Sequence, residues 1–281
     1  MIIDKQCSLA AHSTIRLGGV CEGYFPENEA ELIGLVEEFE NRGIEYRVVG
    51  NMSNILPIDG KALSKVIFCE RIRDITVSFS MISLGCGNRM SSVILSLAKD
   101  QKVLLPSLVG IPGMVGGMVA QNASCFGEEL ASSFVYATLY SALDKKVIRL
   151  NREEMGFAYR TSILKREKMV LLNAAFDISD GNAFSTIESV RKRRQVTAPE
   201  GPSLGSVFLK HNDTSIGRLL DELKQKGRSF GGISVSRKHA GVLINSGCGT
   251  ASEYKEAVFA LQEIVRQNYG FVPQREIIYL R

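Results

Sequence analysis

Four glycines fall within the eight residues Gly110-Ile111-Pro112-Gly113-Met114-Val115-Gly116-Gly117, which run into Met118-Val119-Ala120-Gln121-Asn122. Glycine tolerates positive φ and carries no Cβ, so such a run lets backbone N–H groups converge on an anion or a flat ring, while Pro112 stiffens the turn. A second polar, glycine-bearing turn, Gly50-Asn51-Met52-Ser53-Asn54, follows the apolar stretch Tyr46-Arg47-Val48-Val49. There it would sit at the carboxyl end of a strand, where α/β sheets hold phosphates. The Gly110 to Gly117 run spells neither GxGxxG nor GxxxxGK[ST], and on spacing alone it is equally a plain turn. The run Arg191-Lys192-Arg193-Arg194 reads as a solvated helix face, with a diphosphate as its alternative partner.

Other chemistries are disfavoured. The chain has three histidines, and its six cysteines (Cys7, Cys21, Cys69, Cys86, Cys125, Cys248) are widely spaced, without CxxC or a Cys/His cluster. Free thiols in a reducing compartment and no metal are expected.

The elements that would carry these turns follow from periodicity. Ser13 to Gly19 reads as a strand or extended arm. Leu32, Ile33, Leu35, Val36 and Phe39 repeat at helical spacing between Asn28 and Gly43, and a strand over 46–49 follows. Short strands are expected at 75–78 and 81–84, then a helix over 91–99, then the opening loop. A hairpin pairs 134–140 with 146–150. Asn151 with Glu154, and Ser185 with Glu188, are spaced as capping boxes and predict helix starts. A strand at 170–178 lies between them. After the breaker Thr197-Ala198-Pro199-Glu200-Gly201-Pro202 come a loop-strand at 205–208, a helix over 215–226, strands at 241–245 and 276–280, and a long helix over 252–269.

At 281 residues, 45% of them hydrophobic and 23% charged, the chain has the composition of a soluble globular protein of two or three lobes. No apolar run approaches the ~18 residues that span a bilayer, and Met1 to Lys5 lacks a signal-peptide layout. On these features a cytoplasmic protein is expected. A net charge of +4 with scattered basic residues suits a small anionic ligand and does not call for nucleic acid or a membrane.

In order along the chain, seven blocks resemble the flavin-dependent UDP-N-acetylenolpyruvoylglucosamine reductases of bacterial peptidoglycan synthesis. They are Ser13 to Gly19, Gly50 to Asn54, Gly110 to Asn122, Tyr159-Arg160-Thr161-Ser162, Gly205-Ser206-Val207-Phe208, Ser236-Arg237-Lys238-His239-Ala240 and Glu276. The resemblance implies an α+β protein. Two lobes, residues 1–65 and 66–196, form the FAD-binding fold of vanillyl-alcohol-oxidase type, and residues 197–281 form an α+β substrate-binding domain. Few residues separate Arg160 from the strand at Val170, so the chain resembles the shorter family type without an extra tyrosine-bearing loop.

The implied reaction uses NADPH and FAD to reduce the enolpyruvyl double bond of UDP-N-acetylglucosamine enolpyruvate. Negative charge then develops beside a carboxylate, which calls for a cation and a proton donor. The resemblance assigns these tasks to Arg160, Glu276 and Ser206. It implies FAD contacts from Gly50, Asn51, Met52, Ser53 and Asn54 in the first turn. From the second loop come Gly110, Ile111, Gly113, Gly116, Gly117 and Asn122, with Arg191 in addition. Tyr159, Arg194, Lys210, Lys238 and His239 are implied substrate contacts. Small molecules are the expected partners, and the protein is expected to be a monomer.

The chain departs from the family pattern at named positions. Met52 stands for a glycine, Met114 for a threonine, Ser124-Cys125-Phe126 for Gly-Ala-Tyr, Leu209-Lys210-His211 for Lys-Asn-Pro, and Ile278 for an arginine. Two other readings remain open at this point: an oxidase of the same fold with another substrate, and a non-catalytic flavin or nucleotide-sugar binding protein.

Overall fold

The computed structural model describes residues 1–62 and 64–280. Contacts divide the chain into two units. The first comprises Met1–Asp4, Gly23–Asn51 and Ser64–Arg193; the second comprises Lys5–Glu22, Met52–Leu63 and Arg194–Arg281.

In the first unit, helix α1 (Glu29–Asn41) begins where the Asn28 side chain accepts the Glu31 amide, and it buries Leu32, Leu35, Val36 and Phe39. Each such side chain contributes about 1.5–3 kcal/mol of burial. The strand Tyr46–Val49 follows and pairs in parallel with Lys65–Phe68, which also takes Gly23 and Tyr24 in parallel. A five-stranded antiparallel sheet completes the unit. Its order is Lys146–Asn151, Phe134–Ser141, Met169–Asp177, Met81–Gly85, Ile75–Val77. Helix α2 (Met90–Lys99) buries Val93, Ile94, Leu97 and Ala98. The short helix α3 (Val115–Ala120) and helix α4 (Phe184–Thr197) follow. One apolar core takes residues from both sheets and from α1 to α4.

In the second unit, Ser203–Ser206, Val242–Asn245, Ile233–Val235 and Ser229–Phe230 form a four-stranded sheet in that order. Helices α5 (Ile216–Glu222) and α6 (Ala251–Tyr269) accompany it. A reciprocal Thr250–Glu253 capping box starts α6. Ile15, Leu17 and Leu56 are buried in this unit's core with Tyr254, Val258 and Leu261.

Several local expectations give way to tertiary context. Ser13 to Gly19 forms no strand: Thr14 and Ile15 make a turn and residues 16–19 run on without regular structure into the strand that begins at Val20. A Cβ on Gly19 would collide with the Gly60 carbonyl, so a close backbone crossing is what the glycine permits. Asn151 and Glu154 do exchange hydrogen bonds, yet the segment closes as a turn, because Gly156 at φ +55° leaves the helical region. Ser185 lies inside α4. Asn182 accepts the Phe184 amide at 2.9 Å, and Glu188 pairs with Lys192. Helix α5 ends at Glu222, short of the expected Lys226, and the last strand is only Ile278–Tyr279, paired in parallel with Ile55–Leu56. Among the described residues no helix is long and apolar enough to cross a membrane.

Candidate active site

The two glycine-bearing turns meet within the first unit. Asn51 Nδ2 donates to the Pro112 carbonyl at 2.7 Å, and a Cβ built on Gly50 would stand 3.2 Å from Met114 Cβ and 3.4 Å from its Sδ. Met114 is buried at 1% exposure, so its side chain fills the space beneath Gly50 and presents none of its surface to a ligand.

The rest of the loop is pinned to the end of the Met81–Gly85 strand. Val115 and Gly116 donate to the carbonyls of Asn88 and Cys86, both at 2.9 Å, and Gly113 accepts from Met90. Asn88 is held in turn by its amide bonds to Asp74 and Gly85. The second half of the motif, Val115 to Gly117, is therefore the first turn of α3 and not loop.

This arrangement suits a dinucleotide diphosphate or a flat ring. Among the described residues of the first unit, the amides of Asn51, Gly113, Met114 and Gly117 donate to no protein carbonyl. Of these residues Gly113 and Met114 are buried, and buried amides otherwise find partners. A Cβ on exposed Gly117 would meet nothing within 4 Å, so the backbone there faces open space.

Arg160 sits at φ +56° in a tight turn closed by Ala158 and Thr161, whose amides and carbonyls bond reciprocally. Three side chains fix that turn. Asn122 Nδ2 donates to the Ala158 carbonyl and to Glu129, while its Oδ1 accepts the Ala131 amide. Ser162 donates to the Ala120 carbonyl, and Lys165 donates to the Arg160 carbonyl. Asn122, expected to touch the cofactor, has both amide hydrogens committed within the protein and is a brace for Arg160. The guanidinium donates to Ser124 Oγ at 3.1 Å and lies 5.7 Å from the exposed Tyr159 ring.

On α4, Arg191 is exposed. Arg193, which carried no separate expectation, covers the Phe126 ring at 4.1 Å.

In the second unit, Ser206 and Glu276 lie on adjacent segments. The pairing of Ser203–Ser206 with Val242–Asn245 shifts by one residue between Ser203 and Ser206. Gly205 at φ +74° takes up the extra residue, leaving Ser206 exposed. Glu276 then donates its amide to the Val207 carbonyl at 2.8 Å, and Phe208 pairs with Arg275. Asn54, expected at the cofactor, uses its amide on the Glu276 carbonyl at 3.2 Å and accepts the Ile278 amide. The amides of Met52, Ser53 and Asn54 donate to no carbonyl among the described residues. Met52 is buried at φ +44°.

Arg194 is half-buried and Lys210 exposed. Lys238 is exposed and donates to the Gln195 carbonyl at 3.1 Å. His239 is a wedge: its Cε1 would lie 2.8 Å from a Cβ on Gly217 and 3.0 Å from one on Gly241, and its Nδ1 accepts the Gly241 amide. Burial pushes its imidazole below the ordinary value, keeping it neutral. Its place in the structure is that of a packing residue between Gly217 and Gly241.

Sequence reasoning missed Glu200 inside the breaker. Its carboxylate takes the Ser236 hydroxyl at 2.6 Å and the Arg237 amide at 2.7 Å, fixing the 236–240 turn. Burial raises its carboxyl, but these two bonds and the Lys238 charge outweigh burial and hold it low. Asn245 was also missed. It is a buried amide that bonds the Ile15 and Arg16 carbonyls, and its signal was a polar residue closing the apolar run Val242-Leu243-Ile244.

Comparison with known proteins adds family information. Residues 24–148 match a family described as FAD binding domain, and residues 195–280 match the C-terminal domain of UDP-N-acetylenolpyruvoylglucosamine reductase. The chain is 33% identical to the protein of that name from Fervidobacterium nodosum over 276 residues, 96% of this chain and 89% of the relative. The crystal structure of the Thermus caldophilus enzyme of that name superposes with a TM-score of 0.86 at 24% identity over the whole of both chains. A cholesterol oxidase from B. sterolicum shares the fold over 64% of this chain and 38% of its own, with a TM-score of 0.52 at 12% identity.

Proposed function

The chain belongs to the UDP-N-acetylenolpyruvoylglucosamine reductase family, and on that premise we propose how its own residues serve the reaction. The protein is a flavin-dependent oxidoreductase that reduces UDP-N-acetylglucosamine enolpyruvate to UDP-N-acetylmuramate at the expense of NADPH, a step of peptidoglycan precursor synthesis. The observation that carries this is the extent of the match, 96% of the chain against a relative of that name. The same-fold oxidase and the non-catalytic binder have no comparable support.

When bound, FAD supplies the hydride relay between NADPH and the enolpyruvyl group. In our reading Gly50 to Asn54 and Gly110 to Gly117 hold its diphosphate and approach its ring with backbone N–H groups, and Arg191 adds a cation. The unclaimed amides of both turns support this. Arg160 grips the substrate carboxylate, since a guanidinium is always charged and offers paired donors. Ser206 donates the proton and Glu276 assists; their neighbouring backbones, joined through Val207, support the pairing. Tyr159, Arg194, Lys210 and Lys238 serve the UDP-sugar, and residues 197–281 form the substrate domain that follows the two cofactor lobes, 1–65 and 66–196, in the sequence. The reading also makes the protein a cytoplasmic monomer whose partners are small molecules, without nucleic acid or membrane. Its mild charge of +4 is in keeping with this.

The test is direct. The purified protein should be yellow or bind added FAD, and it should oxidise NADPH beyond one equivalent per flavin only when the UDP-sugar is present. A colourless protein that neither takes up FAD nor consumes NADPH sinks the proposal. Ser206→Ala should leave the rate at which NADPH bleaches the flavin unchanged. It should slow the return of colour on adding the UDP-sugar by about 10²- to 10⁴-fold, the usual range for a positioned proton donor. Equal damage to both rates would reject Ser206 as that donor.

A further inference from the structure

We propose that Asn51 is a positioning residue for the flavin cradle, a strut that sets the spacing of the two turns through Pro112 and does not contact the cofactor with its amide nitrogen. The proposal rests on the reading of these turns as the FAD site and deepens it. The strut itself is independent of that reading.

Three observations converge. First, Asn51 Nδ2 is spent on the Pro112 carbonyl at 2.7 Å, a bond across 61 positions of chain. Proline lacks an N–H and so cannot return a bond, and its fixed φ holds the acceptor in place. Second, Met114, two residues beyond Pro112, lies buried so close to Gly50, the residue before Asn51, that a Cβ on that glycine would stand 3.2 Å from Met114 Cβ. Third, among the described residues the backbone amides beside the contact, those of Asn51, Gly113 and Met114, donate to no protein carbonyl. The side chain thus aligns main-chain donors and is not one of them. Preorganised donors lower the ordering cost of binding. The turn residue at this place is therefore chosen for a side chain that reaches the other loop, which the glycine-rich pattern alone does not reveal.

The test separates a strut from a direct contact. In the flavin-free protein, Asn51→Ala should speed hydrogen exchange several-fold at Gly110 and Ile111. Their amides are bonded to Ser91 Oγ and the Leu108 carbonyl, on the same loop as Pro112. The same variant should weaken FAD binding, followed by quenching of flavin fluorescence, by about five- to tenfold, the usual effect of one hydrogen bond. Asn51→Gln keeps the amide one methylene further out and should recover part of both effects. Unchanged exchange at Gly110 and Ile111 overturns the strut, even with weaker FAD binding, since that pattern marks a direct ligand contact. Faster exchange with unchanged FAD affinity also overturns it, because the strut then serves no cradle. If the unsubstituted protein takes up no FAD, the functional reading fails, while the exchange measurement still decides whether the strut exists.

Discussion

At Arg160 the structure joins a charge to a neighbour that the family pattern lacks. Ser124 stands where that pattern has glycine, and its hydroxyl accepts from Arg160 Nη1 at 3.1 Å. A bond to a charged group is worth about 1.5–3 kcal/mol, and it narrows the orientations open to the guanidinium. Ser124→Ala should therefore slow reoxidation of the flavin by the UDP-sugar about tenfold, leave bleaching by NADPH unchanged, and be rescued by Ser124→Thr, as read by stopped-flow absorbance. Damage to both phases would assign Ser124 to the fold alone. Met52 illustrates the opposite case. Its φ of +44° explains the glycine of the family pattern, for a side chain in the left-handed region costs about 1–2 kcal/mol. Its burial offsets that cost by a similar amount, about 1.5–3 kcal/mol. Both departures were visible in the sequence, but neither the partner of Ser124 nor the dihedral of Met52 was.

Among the elements, those with sustained periodicity were legible in the sequence. Helices α1, α2 and α6 and the 134–151 hairpin form as expected because their apolar faces agree with the packing they meet, with side-chain caps added at α1 and α6. Where a short pattern stood alone, tertiary structure overrode it. The Asn151–Glu154 box forms both bonds and still makes no helix, since Gly156 turns the chain away. The Tyr159–Arg160 turn is an element set almost wholly from outside itself, and Asn122 is its principal brace. Asn122→Ala removes bonds to Ala158, Glu129 and Ala131 at a residue 2% exposed. Buried polar groups left unpaired cost about 1–3 kcal/mol, so this variant should unfold at a midpoint lower by several degrees. Its chemistry with the UDP-sugar should also slow more than its bleaching by NADPH. An unchanged melting temperature would deny Asn122 this bracing role.

For the whole molecule, the second unit should set the acid limit of stability. His239 has its folded pKa depressed by burial below 6.5. The unfolded chain therefore binds the proton first, and stability present above pH 6.5 drains away as pH falls toward the folded value. Glu200, also depressed, adds a loss of the same sign below its ordinary 4.5. Thermal midpoints should fall between pH 7.5 and 5.5, and His239→Gln should flatten that slope while lowering the plateau, since the wedge between Gly217 and Gly241 fits poorly. A wild-type midpoint independent of pH in that window would refute the assignment. The sequence by itself determined the α+β class, the flavoprotein family and the seven blocks that carry its chemistry, because glycine runs, apolar periods and an invariantly charged arginine are local properties. Only the tertiary structure decided which residues share a unit and which polar side chains are already spent. Ile15 and Leu56 lie in the core of the C-terminal residues, and Asn51, Asn54 and Asn122 bond to carbonyls 36 to 222 positions away. Such pairings are fixed by the folded path of the backbone and leave no mark in spacing.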